Sequence, residues 1–158
     1  MKDDKKTAAE ISPLMREVSQ YIAGAVRRPL PQEVLEKTRH HVLDTVAAMV
    51  SGSRLLPGKK AIAYAKALGG VKEACVIGSR LVTHAQHAAL ANGMSGHADE
   101  TDDTHPPTLT HPGTSVVPAA MAIGERDRLP GATVLRAIVL GYDICARLLL
   151  SLQPMPFL

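Results

Sequence analysis

Residues 83–96 read THAQHAALANGMSG, and this stretch decides the fold class. Its small side chains recur at helical spacing and so line one stripe of a predicted helix: Ala85, Ala89, Gly93 and Gly96. Such a stripe lets a neighbouring backbone come very close, which we interpret as helix packing rather than function. Thr83 and Gln86 have the spacing of a capping box, so we predict a helix that starts there and runs to about Gly96.

The composition favours the same kind of core. The chain has 158 residues, enough for one ordinary domain, and 46% of them are hydrophobic. Because it has one Phe and no Trp, the core must consist of alanine, methionine and aliphatic side chains. Cores of this kind favour close packing of helix on helix.

Further helices are predicted on both sides of this stretch. Three precede it and span about Thr7 to Val26, Pro31 to Gly52 and Gly58 to Leu68. A fourth follows it, from Thr114 or Ser115 to about Asp127, with Pro118 in its first turn. The last helix starts after Pro130 and Gly131. The segment EACVIGS at 73–79 is too short for a helix and is predicted as an extended connector or a single edge strand. We therefore predict an all-α fold of about six helices that form an incomplete bundle.

Charge and hydropathy exclude several classes of partner. The net charge is +3, and the basic residues are scattered without interleaved aromatics, so we expect no nucleic-acid partner. No apolar run approaches eighteen residues and no signal peptide is indicated, so we expect no membrane partner and a cytoplasmic location. Cys75 and Cys145 lack metal-type spacing and are expected to be reduced core residues.

The most unusual segment is SGHADETDDTHPPTLTHPG at 95–113. It places four carboxylates within five positions and adds three histidines: Asp99, Glu100, Asp102 and Asp103, with His97, His105 and His111. Carboxylates this close repel one another. The segment therefore costs folding free energy unless a proton, a cation, a helix N-terminus or a substrate meets them.

Three interpretations of this segment compete. It could be a solvated loop that caps the following helix. It could hold a divalent metal through His97, Asp102, His105 and His111, although their spacing matches neither an EF-hand nor the paired histidines of a zinc hydrolase. The third interpretation is an active-site loop.

We favour the active-site loop. His111 lies just before the next helix, where the backbone N–H groups of Gly113, Thr114 and Ser115 could receive a substrate carboxylate. An acidic side chain of the same loop could then remove or return a proton. Crowding also separates the pKa values of neighbouring carboxylates, so that one can act as a base while another stays protonated, which is acid–base chemistry without a metal.

At this point four ordered segments carry a family resemblance. They are LDTVAAMVSG at 43–52, AALANGMSGHADETDDTH at 88–105, THPGTSVVPAAMAIGE at 110–125 and AIVLGYDICAR at 137–147. From about Ser12 to Arg147 the chain resembles the N-terminal part of the MmgE/PrpD family. Members of that family include 2-methylcitrate dehydratases, cis-aconitate decarboxylases and an iminodisuccinate epimerase.

The resemblance implies a helical domain that full-length members follow with a smaller α+β domain, with the active site between the two and a homodimer as the assembly. It also implies activity on small di- and tricarboxylates without metal or organic cofactor. We expect residues 1–158 to be the N-terminal segment of the helical domain, with the α+β domain absent from this chain.

Site residues follow from the same resemblance. Glu100 takes the position of an active-site aspartate, Thr104 that of a threonine, and His111 that of the loop histidine, which makes these three the expected catalytic residues. The expected substrate-binding residues are Asp102, His105, Gly113 and Thr114. Two residues depart from the family pattern, because Glu100 adds a methylene and Asp99 puts a charge at a usually apolar position.

We therefore expect a hydro-lyase most like 2-methylcitrate dehydratase, with decarboxylation and epimerisation left open. The alternative is a non-catalytic remnant or a helical interaction module, because the chain lacks the cationic anchors that a tricarboxylate needs. The chain resembles a truncated enzyme. We expect it to be feebly active alone and to associate with a second copy or with a complementary polypeptide.

Overall fold

Six helices and one short hairpin make up residues 11–25 and 27–152, the part of the chain that our computed structural model describes. The helices are α1 (Pro13–Ala25), α2 (Gln32–Gly52), α3 (Leu56–Leu68), α4 (Ala85–Gly96), α5 (Gly113–Arg126) and α6 (Gly131–Ser151). The strands are β1 (Ala74–Cys75) and β2 (Val82–Thr83), which pair antiparallel. The all-α fold of about six helices is confirmed.

Helix α4 lies at the centre and packs against α2, α3 and α5. Its small-residue stripe is the reason. A Cβ added at Gly93 would lie 2.7 Å from the carbonyl oxygen of Thr114 in α5, and one added at Gly96 would lie 3.2 Å from Thr114 Cγ2. The two helices therefore approach to a distance that only small residues permit, as predicted.

Two apolar clusters form the core. The larger joins α3, β1, α4 and α5 and is dominated by alanine: Ala61, Ala65, Ala74, Val76, Ala85, Ala88, Ala91 and Ala122. The smaller joins α2, α5 and α6 through Met49, Val117 and Ile138. Neither contains an aromatic residue among its fully buried members, which confirms the predicted aliphatic core.

The predicted capping box at the start of α4 is wrong. The Thr83 hydroxyl donates a 2.6 Å hydrogen bond to the carbonyl oxygen of Gly69, and Thr83 belongs to β2. The helix begins at Ala85, and the ring of His84 accepts the N–H of Gln86. The Thr83 hydroxyl, which the local pattern assigned to the helix cap, thus bonds to Gly69, a residue 14 positions earlier in the sequence.

Pro118 also differs from its predicted place. Helix α5 begins at Gly113, one or two residues earlier than predicted, so Pro118 lies in the second turn rather than the first. Proline has no N–H to donate to the carbonyl of Thr114. That same carbonyl oxygen faces Gly93, so the missing helix bond lies on the α4 side of α5.

The remaining boundaries agree closely. Helix α2 ends at Gly52 as predicted, and α3 begins at Leu56, two residues early. The predicted ends of the first helix, Thr7 and Val26, fall outside the described residues. The 73–79 segment, predicted as an extended connector or a single edge strand, contains β1, which pairs with the unpredicted strand β2.

Both cysteines are free, as expected, but they are half-buried rather than in the core.

Several helices expose apolar residues: α1 has no buried residue, Leu43 of α2 is 70% exposed, and Leu148 of α6 is 56% exposed. No helix in the described ranges combines the length and the apolar character needed to cross a membrane.

Candidate active site

The acidic segment forms the loop between α4 and α5. His97 caps the C-terminus of α4, and Glu100 follows it with a φ of 55°. Further along, the backbone N–H of His105 donates to the carbonyl of Thr110 at 2.8 Å, which closes a small turn. Within this turn the His105 ring contacts the Thr108 hydroxyl at 2.7 Å. The loop is thus held by its own hydrogen bonds between two helix ends.

Asp102 is the buried centre of one cluster. Its side chain is 0% exposed, and Nδ1 of His97 lies 3.1 Å from its Oδ1. Nδ1 of His111 lies 3.2 Å from its Oδ2. The two imidazole rings are 5.0 Å apart between centroids and tilted by 55°. One carboxylate therefore lies between two histidines that come from opposite ends of the loop.

The two contacts are not equivalent. His97 has hydrogen-bonding geometry toward both oxygens of Asp102. Nδ1 of His111 is buried and sits at ion-pair distance, but its N–H direction misses the oxygen, so it has no properly aligned partner among the described atoms.

Asp103 points to a different set of residues. Its Oδ1 accepts the backbone N–H of Gly113 at 2.9 Å, and its Oδ2 accepts the hydroxyl of Tyr142 at 2.7 Å. Nδ1 of His41 in α2 lies 3.2 Å from the same Oδ2. Burial, together with this hydrogen bond to Asp103, raises the pKa of Tyr142 above its usual value.

Within the chain, the carboxylate of Asp103 contacts the N-terminus of α5. We expected the N–H groups of Gly113, Thr114 and Ser115 to receive a substrate anion, but Asp103 already accepts the Gly113 N–H. The space is also full. A Cβ at Gly113 would lie 2.7 Å from Thr45 Oγ1 and 2.9 Å from the Tyr142 hydroxyl. The loop's own carboxylate serves as the anion at this helix end.

Asp99 takes a third direction. Its Oδ2 accepts the Ser51 hydroxyl at 2.6 Å, and its Oδ1 accepts the Thr101 hydroxyl at 2.8 Å. These hydrogen bonds lower the pKa of Asp99, and the one from Ser51 has the larger effect. Three of the four crowded carboxylates, those of Asp99, Asp102 and Asp103, thus each have their own set of partners, while Glu100 is exposed.

The expected catalytic residues are placed at separate points of the loop. Glu100 is exposed, His111 lies in the Asp102 cluster, and Thr104 is exposed at the rim of a cavity of about 100 Å³. That cavity is also lined by His41, His105 and Tyr142, among others. No hydrogen bond or ion pair in the described part of the chain joins Glu100, Thr104 and His111 directly.

The expected substrate-binding residues divide in two. Asp102 and Gly113 are buried and engaged by other groups of the protein. His105 and Thr114 are partly exposed, and the Thr114 hydroxyl donates to the carbonyl of His111 at 3.0 Å. Sequence reasoning missed His41, Thr45 and Tyr142 as neighbours of the loop, since nothing in the local pattern links α2 and α6 to Asp103.

Three residues are arranged so that they could hold a metal. The candidate ligand atoms of His97, Asp102 and His111 all lie within 4.8 Å of one another. His105, which we had also considered as a ligand, is not in this group and contacts Thr108 instead. Two imidazoles and one carboxylate are ligand types that suit Zn²⁺ and Fe²⁺.

A larger cavity of about 690 Å³ lies between α1, α2 and α6. Its lining is largely apolar and includes both cations and carboxylates: Arg28, Lys37, Arg136, Glu33 and Asp143. His41 and His105 line both this cavity and the smaller one, so the two cavities adjoin.

Comparison with known proteins agrees with the resemblance seen in the sequence. The chain matches the model of the MmgE/PrpD N-terminal domain over residues 16–156, a range that includes the whole α4–α5 loop and the helices on both sides of it. Among curated proteins none matches the chain at a significant level. The family match covers well over half of the chain. This chain therefore belongs to the MmgE/PrpD family, through its N-terminal domain.

Proposed function

We propose that the α4–α5 loop forms one side of an active site for cofactor-free acid–base chemistry on a small di- or tricarboxylate. The reaction class is that of a hydro-lyase most like 2-methylcitrate dehydratase. The observation that carries the proposal is the cluster of His97, Asp102 and His111, in which a buried carboxylate supports two partly exposed imidazoles. Carboxylate-supported histidines are common general acids and bases.

The chemistry requires a base and an acid. In a dehydration, a base removes the proton from the carbon next to a carboxylate, a carbon–carbon double bond forms, and the hydroxyl leaves as water after receiving a proton from an acid. We assign proton transfer to His111 and to the exposed carboxylate of Glu100, and a hydrogen bond to the substrate to Thr104. Among the substrate-binding candidates, His105 and Thr114 are the partly exposed ones.

The substrate's negative charges need cations that this cluster does not supply. In the described part of the chain, the hydrogen bonds and ion pairs of His97, Asp102 and His111 involve no lysine or arginine. We propose that the anchors come from a second copy of the chain or from a complementary polypeptide, in a cytoplasmic homo-oligomer. Such groups would stabilise the charge that develops during proton removal.

A non-catalytic interaction module is the second candidate. It is favoured by the apolar residues that α1, α2 and α6 expose, among them Leu14 at 70%, Leu43 at 70% and Leu148 at 56%. Exposed apolar side chains of this size form a protein interface where they lie together in one patch. The two candidates differ in whether the loop transfers protons.

Proton exchange into deuterated water tests this directly, because proton abstraction requires fewer groups than a complete dehydration. The purified chain is incubated with 2-methylcitrate, citrate or cis-aconitate, and deuterium incorporation and product formation are followed by NMR and mass spectrometry. We expect slow exchange that is lost in His111→Ala and in Glu100→Gln. His40→Ala, at an exposed position of α2, is the matched control and should exchange normally. Absence of exchange and turnover with every acid would favour the interaction module.

A further inference from the structure

We propose that Asp102 is a positioning residue that holds His97 and His111 with a proton on Nδ1, so that Nε2 of each ring faces the substrate side. The use of Nε2 in catalysis rests on the proposed function, whereas the placement of the proton on Nδ1 does not. We had expected Asp102 to bind substrate. Its side chain is 0% exposed, so it acts through the two rings that cover it.

The first step of the argument concerns the charge of Asp102. A carboxylate taken out of water costs several kcal/mol, on the order given for buried charges, unless donors replace its hydration. Within the described ranges, the polar groups that contact Asp102 are the two ring nitrogens, at 3.1 Å and 3.2 Å. No lysine, arginine or backbone N–H of the described residues donates a hydrogen bond to it.

The second step fixes the tautomer. An ionised carboxylate can only accept hydrogen bonds, so a ring nitrogen that approaches it must carry the proton. Each ring presents Nδ1 to Asp102. A neutral imidazole has one N–H, which places the lone pair of both rings on Nε2.

The third step concerns the free side of the rings. The side chains of His97 and His111 are 50% and 34% exposed, and Nε2 of neither ring has a hydrogen-bond partner among the described residues. The Nε2 atoms are thus the accessible nitrogens. A carboxylate on Nδ1 with a reactive Nε2 is the arrangement by which a catalytic aspartate orients its histidine in hydrolases.

The fourth step explains the loose contact of His111. Its Nδ1 is buried, and Asp102 is the acceptor at hand, but the N–H is misaligned. Catalytic hydrogen bonds are often long or poorly aligned before substrate binds and tighten in the complex. His97 already has hydrogen-bonding geometry toward both oxygens of Asp102, so it holds the carboxylate in place before substrate binds.

The same three residues could instead hold a divalent metal, and the two states differ in one proton. A nitrogen bound to a metal carries no hydrogen, whereas the positioning role requires hydrogen on both Nδ1 atoms. The tautomer of the two rings therefore decides between them. It can be measured without any substrate.

The experiment uses the full chain labelled with ¹⁵N and treated with chelator. Long-range proton–nitrogen correlation spectra are recorded at mildly alkaline pH, with the two rings assigned through His97→Gln and His111→Gln. We expect both rings in the Nδ1–H form. Asp102→Asn should cause loss of that form, because the amide can donate to Nδ1 and so favours hydrogen on Nε2. Asp99→Asn, an aspartate of the same loop with other partners, is the control and should leave both rings unchanged.

Two results would overturn the proposal. One is a wild-type His111 ring with its proton on Nε2. The other is loss of the Nδ1 protons on addition of one equivalent of Zn²⁺, reversed by chelator, which would assign the cluster to a metal. If Asp102→Asn loses its helical circular dichroism, the wild-type spectra alone decide. A chain that has both rings in the Nδ1–H form but exchanges no substrate protons would contradict the proposed function and leave the positioning role intact.

Discussion

The hydroxyl of Tyr142 in α6 donates a 2.7 Å hydrogen bond to Asp103 in the α4–α5 loop, across 39 positions of sequence. The same carboxylate accepts the N–H of Gly113 at the start of α5 and lies 3.2 Å from Nδ1 of His41 in α2. One side chain thus fastens the loop to three helices. Since Asp102 is its neighbour, this attachment also fixes where the His97 and His111 cluster lies.

Tyr142→Phe should therefore destabilise the fold. Removing the hydroxyl takes one donor from a carboxylate whose side chain is 9% exposed, and a buried acceptor left short of donors costs about 1–3 kcal/mol. The free energy of unfolding in urea, followed by circular dichroism, measures the loss. Tyr64→Phe, at a residue that is 55% exposed, should change it by less than about 0.5 kcal/mol. Equal stabilities for the two variants would contradict the role given to this hydrogen bond.

Gly93→Ala tests the close approach of α4 and α5. Alanine favours a helix interior over glycine by about 1 kcal/mol, so the substitution would stabilise an open position. At Gly93 the new Cβ would meet the carbonyl oxygen of Thr114 at 2.7 Å, and a backbone atom cannot give way cheaply. We expect a net loss of about 1–3 kcal/mol in the unfolding free energy, as for other overpacked positions.

Gly131→Ala is the matched control for that experiment. Gly131 opens α6, and a Cβ there would meet nothing within 4 Å. The unfolding midpoint of this variant should stay the same or rise slightly. A Gly93→Ala variant as stable as Gly131→Ala would show that α4 and α5 are farther apart than described.

Helix α4 itself could be predicted from the sequence, whereas the contacts that fix its start could not. Helical spacing and the small stripe from Ala85 to Gly96 are local properties, and they predicted both the helix and its packing face. The start of α4 was missed because Thr83 bonds to Gly69, a partner set by the hairpin. Such a contact leaves no local pattern.

The loop shows the same limit at the candidate site. Its composition predicted that the carboxylates would need partners, and each of Asp99, Asp102 and Asp103 has them. Which partner goes to which carboxylate depends on where α2 and α6 lie, and a single sequence does not encode that in any nearby spacing. The assignment of Asp103 to the α5 N-terminus, rather than a substrate, therefore came from the structure alone.

Cys75 should be an unreactive thiol in the native chain. Two causes raise the pKa of the Cys75 thiol to about 11: burial, which is the larger, and the hydrogen bond from the thiol to Glu125. Thiolate is the reactive form, so alkylation by iodoacetamide near neutral pH should be slower than in the urea-unfolded chain by more than about tenfold. Mass spectrometry of the Cys75 peptide gives both rates.

Glu125→Gln separates the charge effect from simple shielding in that measurement. The substitution keeps the size of the side chain and removes the negative charge that disfavours the thiolate 3.1 Å away. Native Cys75 should then react faster than in the unsubstituted chain. An unchanged rate would mean that access, rather than the raised pKa, limits the reaction.

The raised pKa also makes the free energy of unfolding depend on pH. Because the pKa of Cys75 is higher in the folded chain than in the unfolded chain, its contribution to stability is complete below the unfolded pKa of 9.0. That contribution is lost as pH rises through the folded pKa of about 11.

The chain should also self-associate through the apolar face at the end of α6. Leu148 in α6 and Leu152 at its C-cap are 56% and 61% exposed. Because residues four positions apart lie on the same face of a helix, these two side chains form an apolar patch that favours burial against another surface. Burying one leucine side chain contributes about 1.5–3 kcal/mol, so a charge in place of one of these leucines should weaken association strongly. Light scattering after size exclusion should show an assembly larger than the monomer at micromolar concentration. Leu148→Glu should shift it toward monomer, whereas Gln86→Glu, an added charge at an exposed position of α4, should not. If the unsubstituted chain is monomeric at every concentration tested, or if both variants behave alike, this face of α6 is not the interface.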